Sequence, residues 1–315
     1  MNVNTYIKGL HHVTATVNDA QEDIVFYTQL LGLRLVKQTV NFDNRQVYHF
    51  YYGDETGTPG TIMTTFPYKG QEVRQGIKGT GQVAITSFSI PQDSLVFWKN
   101  RLAVHRIDFQ ENNLMGNNML EFADPSGLIL RLIESIQDPR DPWTTPEINH
   151  DHAIRGFFNV TLSIPEKEPT LHFLQEVFGF RIIAEEDHIT RMGIDEMLPG
   201  QLVDIRHDSD VNTGKNGIGT VHHVAWRVAN DDELWEMRRY LTEVKNLKVT
   251  EVKDRKYFHS IYFRMPGHVL FEIATEIPGF TVDESKEELG QSLQLPEWEE
   301  AQRASIEAQL PRIHY

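Results

Sequence analysis

The chain has 315 residues, no cysteine, and 45 acidic against 30 basic side chains, a formal charge of −15. At roughly 150 residues per domain the length suits two domains. The acidic balance disfavours nucleic acid and anionic lipid as partners, and the missing cysteine excludes disulfides, thiolate metal sites and cysteine nucleophiles. With no apolar run near the roughly 20 residues of a membrane span, and no apolar leader, the expected compartment is the cytoplasm.

Alternating residues predict a first strand at Leu10–Val17 (LHHVTATV). An amphipathic stretch follows, with Ile24, Phe26, Tyr27, Leu30 and Leu31 at helical spacing, and Gly32 stands where a helix C′ glycine belongs. Further strands are expected at Gln46–Tyr52 and Thr61–Phe66. The pattern restarts at Val83–Ile90 (VAITSFSI). The segment from Glu134 to Arg155, with three prolines, reads as a linker. A third copy begins at Phe157–Ile164 (FFNVTLSI), with Leu171, Phe173, Leu174, Val177 and Phe178 on its helix and Gly179 at the end. A fourth begins at Val221–Val228 (VHHVAWRV), and Leu295–Ile313 reads as a polar helix and tail that braces the rest.

Internal spacing supports the repeat. His12 to Gly32 and Asn159 to Gly179 are both 20 residues, and FYTQLLGLRLV mirrors FLQEVFGFRII. The first-strand positions His12, Ala84, Asn159 and His223 are 72, 75 and 64 residues apart. Each copy reads strand–helix–strand–strand–strand, an α+β unit too small to bury both faces alone, so copies should pair into two domains. The expected division is 1–145 for copies one and two, 146–290 for copies three and four, and 291–315 for a C-terminal helical tail.

Both His-His doublets, His11-His12 and His222-His223, fall in the same place in the first strands of copies one and four. Strand alternation lets only one histidine of each doublet face a pocket squarely, leaving the other for edge contacts. Glu272 lies in an otherwise apolar run, VLFEI, and a lone buried carboxylate is costly unless paired or metal-bound. Aligned on the Pro-Gly turns, the corresponding residues are Thr65, Arg131 and Asp204 in copies one, two and three. Copies one and four thus supply His12, His223 and Glu272, whereas Ala84, Asn159, Asp204 and Arg131 make no transition-metal site. Two imidazoles and one carboxylate suit non-haem Fe(II) with open positions, while structural zinc wants four protein ligands.

On these residues the sequence resembles the vicinal-oxygen-chelate superfamily (glyoxalase, bleomycin-resistance and extradiol-dioxygenase proteins), and within it the branch cleaving p-hydroquinone rings. The resemblance runs through GLHHVTATV, VHHVAWRV, DRKYFHSIYFRMPGHVLFEIATEIPGFTVDE and LPEWEEAQRASIEAQLP. It implies four βαβββ modules paired into two vicinal-oxygen-chelate domains. It also implies His12, His223 and Glu272 as ligands of Fe(II), with Mn(II) as the alternative metal. His11, Thr14, His222, Arg255 and Tyr262 are implied as the polar surround of a small aromatic substrate and O2, in a homo-oligomer. Met265 and His268 depart from the branch, which usually has an acid and a glycine there. Of the other histidines, His259 is the expected pocket visitor, and His49, His105 and His172 are read as structural or surface residues. Rival readings are a glyoxalase-like isomerase, for which Thr65 stands where a fourth, acidic ligand is needed, and a metal-free binder of small aromatics.

Overall fold

The computed structural model describes residues 3–314. Four modules follow one another, each strand–helix–strand–strand–strand. The first holds β1 (Leu10–Val17), α1 (Ala20–Ile24), β2 (Arg34–Asn41), β3 (Asn44–Gly53) and β4 (Ile62–Pro67). The second holds β5 (Gln82–Pro91), α2 (Leu95–Val104), β6 (Phe109–Leu114), β7 (Asn117–Ala123) and β8 (Ile129–Ser135). The third holds β9 (Gly156–Ile164), α3 (Lys167–Phe178), β10 (Arg181–Glu186), β11 (Ile189–Gly193) and β12 (Leu202–His207). The fourth holds β13 (Thr220–Val228), α4 (Asp231–Arg239), β14 (Lys253–Asp254), β15 (Phe258–Arg264) and β16 (Leu270–Pro278).

Local chemistry sets the helix limits. Asp19 caps α1 by accepting from the backbone N–H groups of Gln21 and Glu22 (2.8 and 2.9 Å). Gly179 closes α3 in the left-handed region at φ 76°, and Gly32 has φ 71°, the conformation both were expected to supply.

The strands form two eight-stranded sheets, ordered β14-β15-β16-β13-β1-β4-β3-β2 and β10-β11-β12-β9-β5-β8-β7-β6. Modules one and four therefore share one sheet, and modules two and three the other. This strand pairing cuts across the division at 145/146: hydrogen bonding unites the ends of the chain and, separately, its middle. At the centre of each sheet the opening strands of two modules run antiparallel, β1 against β13 and β5 against β9. The sheets abut where Leu10 N–H donates to Gly200 O (2.8 Å) and Phe157 N–H to Gly60 O (2.9 Å). Arg140, in the linker, clamps this seam by donating to the carbonyls of Gly60 and Phe157 (3.0 and 2.7 Å). One apolar core runs through both sheets and their helices.

The tail is a brace, but its regular helix, α5 (Arg303–Glu307), is only five residues long. It anchors through buried Leu295, Ile306 and Leu310 and through Arg45, which donates to Glu299 (2.9 Å). Among the described residues no helix is long and apolar enough to cross a membrane.

A buried acid sits beneath the first sheet. Asp23 Oδ2 accepts hydrogen bonds from Tyr52 (2.7 Å) and Thr65 (2.5 Å). Burial pushes its carboxyl up to about 8 despite these donors. Between about pH 4 and 8 the folded protein therefore keeps a proton that the unfolded chain has shed, so this group makes stability fall as pH rises across that window. In Asp23→Asn the amide oxygen can still accept both hydroxyls, and its NH2 replaces the protonated oxygen. Urea melts should show the variant gaining stability relative to wild type from pH 5 to pH 8, with no further gain above pH 9.

Candidate metal centre

Two irregularities in the β1–β13 pairing build the centre. Leu10 lies opposite Trp226 but His12 opposite Ala225, and Thr14 lies opposite His223 but Ala15 opposite Val221. His11 and His222 are thus the extra residues of two β-bulges, which re-aim side chains that strict alternation would send to opposite faces. The imidazoles of each doublet meet through their Nδ1 atoms, at 2.9 Å for His11 and His12 and 2.7 Å for His222 and His223. His222 therefore lines the same cavity as His223, at its open rim. His11 lies behind, against a separate cavity of about 260 Å³.

Hydrogen bonding decides the tautomer of His12. His11 Nε2 is 3.1 Å from the carbonyl of Thr275, which can only accept, so Nε2 carries the proton. Burial and the neighbouring His12 lower the His11 imidazole to about 3, so it is neutral and its Nδ1 accepts from His12. His12 is left with a free lone pair on Nε2. Holding a ligand imidazole by its other nitrogen is the usual way a protein orients it toward a metal.

His12 Nε2, His223 Nε2 and a Glu272 oxygen converge. Glu272 Oε2 is 3.1 Å from His12 and 2.7 Å from His223, and the two nitrogens are 3.3 Å apart. All three residues are buried, Glu272 completely. Both Glu272 oxygens nevertheless lack a properly directed hydrogen bond, which leaves their lone pairs for a cation. Donors about 2.1 Å from one ion and at right angles lie about 3.0 Å apart, so the three separations fit a divalent cation held on one face. Burial works against the charged form of Glu272, but a proton on the Nε2 of His12 or His223 outweighs it and holds the carboxyl well below its usual range, so carboxylate and imidazoles share protons that an arriving cation displaces. Among the described residues this is the one His/Asp/Glu group arranged to hold a metal.

Among the described residues no fourth ligand is supplied. Thr64, not Thr65, is the repeat equivalent of Glu272: Tyr51 lies opposite Thr64 as Tyr262 lies opposite Glu272. Thr65 points to the other face, toward Asp23. The absence of an acid at this position, expected from the sequence, holds with the corrected register.

A cavity of about 400 Å³ opens above the triad, walled by Phe42, Tyr51, Phe66, Tyr68, Phe258 and Tyr262. The structure places Thr14, His222, Arg255 and Tyr262 around it. Arg255 Nε donates to the Tyr262 hydroxyl (3.3 Å), and its guanidinium lies 5.4 Å from the centre of that ring. Burial, then Glu272, raises the Tyr262 pKa, so the phenol stays neutral. His259 is not a visitor here; it pairs with Asp231 (2.7 Å) outside the cavity. The residue that sequence reading missed is His49, which lines the cavity with Tyr51. The two share a strand face, and Tyr51 is the repeat equivalent of Tyr262, a relation that emerges only from the strand register.

The second sheet is closed to metal. Asp204 is gripped at both oxygens by Arg191 (2.7 and 2.9 Å), and Arg131 pairs with Glu121 (2.7 Å). Both bulges are retained, with Ala84 and Phe158 as their extra residues in place of His11 and His222, and Phe158 packs with Met119, Ile133 and Leu202. The register also corrects the alignment: Ile85, opposite Thr161, is the equivalent of His12, not Ala84. Arg131→Ala should cost about 1–3 kcal/mol of stability in denaturant melts, by stripping Glu121 of its partner. Turnover at the metal centre should be nearly unchanged, and a hundredfold loss would place the reactive cavity in the wrong sheet.

Comparison with known proteins agrees with this architecture. The family model described as "Glyoxalase/Bleomycin resistance protein/Dioxygenase superfamily" matches residues 9–132 and 156–273. The "Putative ring-cleaving dioxygenase MhqE" of Bacillus subtilis (strain 168) is 44% identical over 308 residues, covering 97% of this chain and 99% of its own. The "Chlorohydroquinone/hydroquinone 1,2-dioxygenase" of Sphingobium indicum is 34% identical over 298 residues, covering 92% and 91%. A crystal structure of a "putative dioxygenase" from Bacillus subtilis superposes with a TM-score of 0.94 at 40% identity, covering 98% of both chains. Two matched segments, one in each half of the chain, and full-length relatives place this chain in the glyoxalase/bleomycin resistance protein/dioxygenase superfamily.

Proposed function

We propose that the protein is an Fe(II)-dependent, extradiol-type ring-cleaving dioxygenase acting on a hydroquinone or catechol-type aromatic. The observation that carries this reading is the three-ligand centre of His12, His223 and Glu272, without a fourth side chain, at the head of an aromatic-walled cavity. Bound divalent iron would bring a ring oxygen and O2 together and pass charge between them, with both oxygen atoms entering the product, so that no external reductant is needed. The names of the relatives, a ring-cleaving dioxygenase and a hydroquinone 1,2-dioxygenase, point the same way.

The surrounding side chains have separable roles in this reading. The aromatic walls sandwich a planar ring and exclude water. Arg255 and the neutral Tyr262 phenol donate toward negative charge on substrate oxygen. If His223 Nδ1–H donates to His222 Nδ1, as its role as a ligand through Nε2 requires, then His222 holds its proton on Nε2. That proton faces the cavity, placed for transfer to an oxygen of the reacting ring.

Anaerobic loading with Fe(II), followed by oxygen uptake across substituted hydroquinones and catechols, tests the reading. Uptake matched one-to-one by ring-opened product supports it. Retention of the aromatic unchanged, with no tightly bound iron or manganese in protein purified without chelator, would favour a binding protein instead. A glyoxalase-like isomerase is disfavoured by Thr64, which stands where its acidic fourth ligand is needed.

A further inference from the structure

The repeat relates two tyrosine-bearing strands across the cavity, yet their neighbours differ. In the fourth module the residue two before Tyr262 is Ser260, a short buried hydroxyl beside the Tyr262 phenol. In the first module the residue two before Tyr51 is His49, and it is fully engaged. Its ring packs on Tyr51 and Phe66 at 4.1 and 4.2 Å between centroids. His49 Nδ1 is 2.9 Å from the Tyr51 hydroxyl, and Nε2 is 2.9 Å from Thr64 Oγ1. Thr64 in turn donates to Thr14 Oγ1 at 2.9 Å. Thr64 and Thr14 are buried, and Thr14 is two residues from the ligand His12.

A hydroxyl has a single proton, so this line of hydrogen bonds has one direction. With the Thr64 proton given to Thr14, Thr64 must accept from His49 Nε2–H. His49 Nδ1 must then accept from Tyr51. Burial lowers the His49 pKa well below its ordinary value, in keeping with the neutral ring this requires. At the end of the line Thr14 accepts, and its own proton is left for the cavity. A threonine without such a partner could rotate and offer a lone pair instead.

We propose that His49 is a positioning residue that, through Thr64, locks the Thr14 hydroxyl as a hydrogen-bond donor into the cavity beside the metal ligands. The inference rests on the ring-cleaving reading, in which that donor serves an oxygen of the bound ring as negative charge develops. Nothing at the repeat equivalents does this: Glu272 replaces Thr64 and Ser260 replaces His49. The hydroxyl line is the counterpart, in one module, of the carboxylate ligand in the other.

His49→Leu and the nearly isosteric Thr64→Val cut the line at successive links. Each should lower kcat about tenfold, part of what a preorganised oxyanion donor supplies, with iron content and KM little changed. The double variant should be no worse than the poorer single one, because both remove the same connection. His49→Gln, which both donates and accepts, should recover most of the loss. Independently of turnover, nitrogen-15 spectra of histidine-labelled, zinc-loaded protein should show His49 as the Nε2–H tautomer, perturbed in Thr64→Val. Additive losses, a His49→Gln variant as impaired as His49→Leu with metal retained, or an Nδ1–H tautomer would each overturn the proposal. Should wild-type protein consume no oxygen with any aromatic tried, the ring-cleaving reading fails, while the tautomer measurement still decides the hydrogen-bond direction.

Discussion

Glu272→Gln is expected to abolish iron retention while leaving the fold intact. The substitution keeps the shape of a side chain that is completely buried and removes only the charge. In wild type Glu272 lies 3.1 and 2.7 Å from the Nε2 atoms of His12 and His223, so a dication that displaces any proton shared among them meets a carboxylate and two oriented imidazoles. The glutamine amide offers a weak neutral oxygen and places an NH2 donor among lone pairs. Loss of an outer hydrogen-bonding partner alone typically weakens a metal site roughly 10–100-fold, and removal of a ligand charge should exceed this. Iron analysis after desalting should find the metal in wild type and not in the variant. A binding-linked rise in melting temperature on adding Fe(II) should likewise be confined to wild type, since only a site that binds the folded state stabilises it. Full iron occupancy in Glu272→Gln would remove Glu272 from the ligand set.

The grouping of His12, His223 and Glu272 was legible in the sequence because it violates the local pattern. Glu272 interrupts an apolar strand, and two His-His doublets occur at equivalent places in a fourfold repeat. The helix ends at Gly32 and Gly179 were legible for a similar reason, since a left-handed residue after an amphipathic stretch has few alternatives to glycine. Register was less accessible. Thr65 was taken for Thr64 because counting from a turn assumes equal loop lengths, and a difference of one residue moves a side chain to the other face. Ala84 was taken for Ile85 although LHHVTATV and VAITSFSI, set side by side, put Ile85 at the place of His12. The bulges themselves leave no mark in a single sequence, although they are what lets His222 join His223 in the cavity. His49 was hidden differently: nothing local distinguishes a histidine bonded to Thr64 from one on the surface until β3 is set beside β4. The sharing of sheets by modules one and four was implicit in the placement of the ligands, but division by chain order pointed elsewhere.

Lys37→Met should be among the most damaging substitutions away from the metal centre. Lys37 lies on β2 with no exposed surface, and its Nζ pairs with Asp283 (2.6 Å) and with Glu284, while the ammonium sits 5.0 Å from the Tyr257 ring centre. Asp283 also binds Lys256 (2.7 Å) and accepts from Tyr257 (3.1 Å). Two acidic residues of the segment that follows β16 are thereby fixed to the first module, close to where Gln294 N–H donates to Gln38 O (2.9 Å). Methionine fills most of the volume but leaves Glu284, itself buried, with no cation at hand. Breaking a buried pair by deleting one partner usually costs about 3–5 kcal/mol, because the surviving charge must be solvated or protonated. Denaturant melts should show a loss of that size, and limited proteolysis should cleave first between residues 280 and 300. The companion triple substitution Lys37→Met, Asp283→Asn, Glu284→Gln separates charge from packing. If the stranded carboxylates cause the damage, neutralising them recovers most of the stability, whereas a purely steric loss would persist.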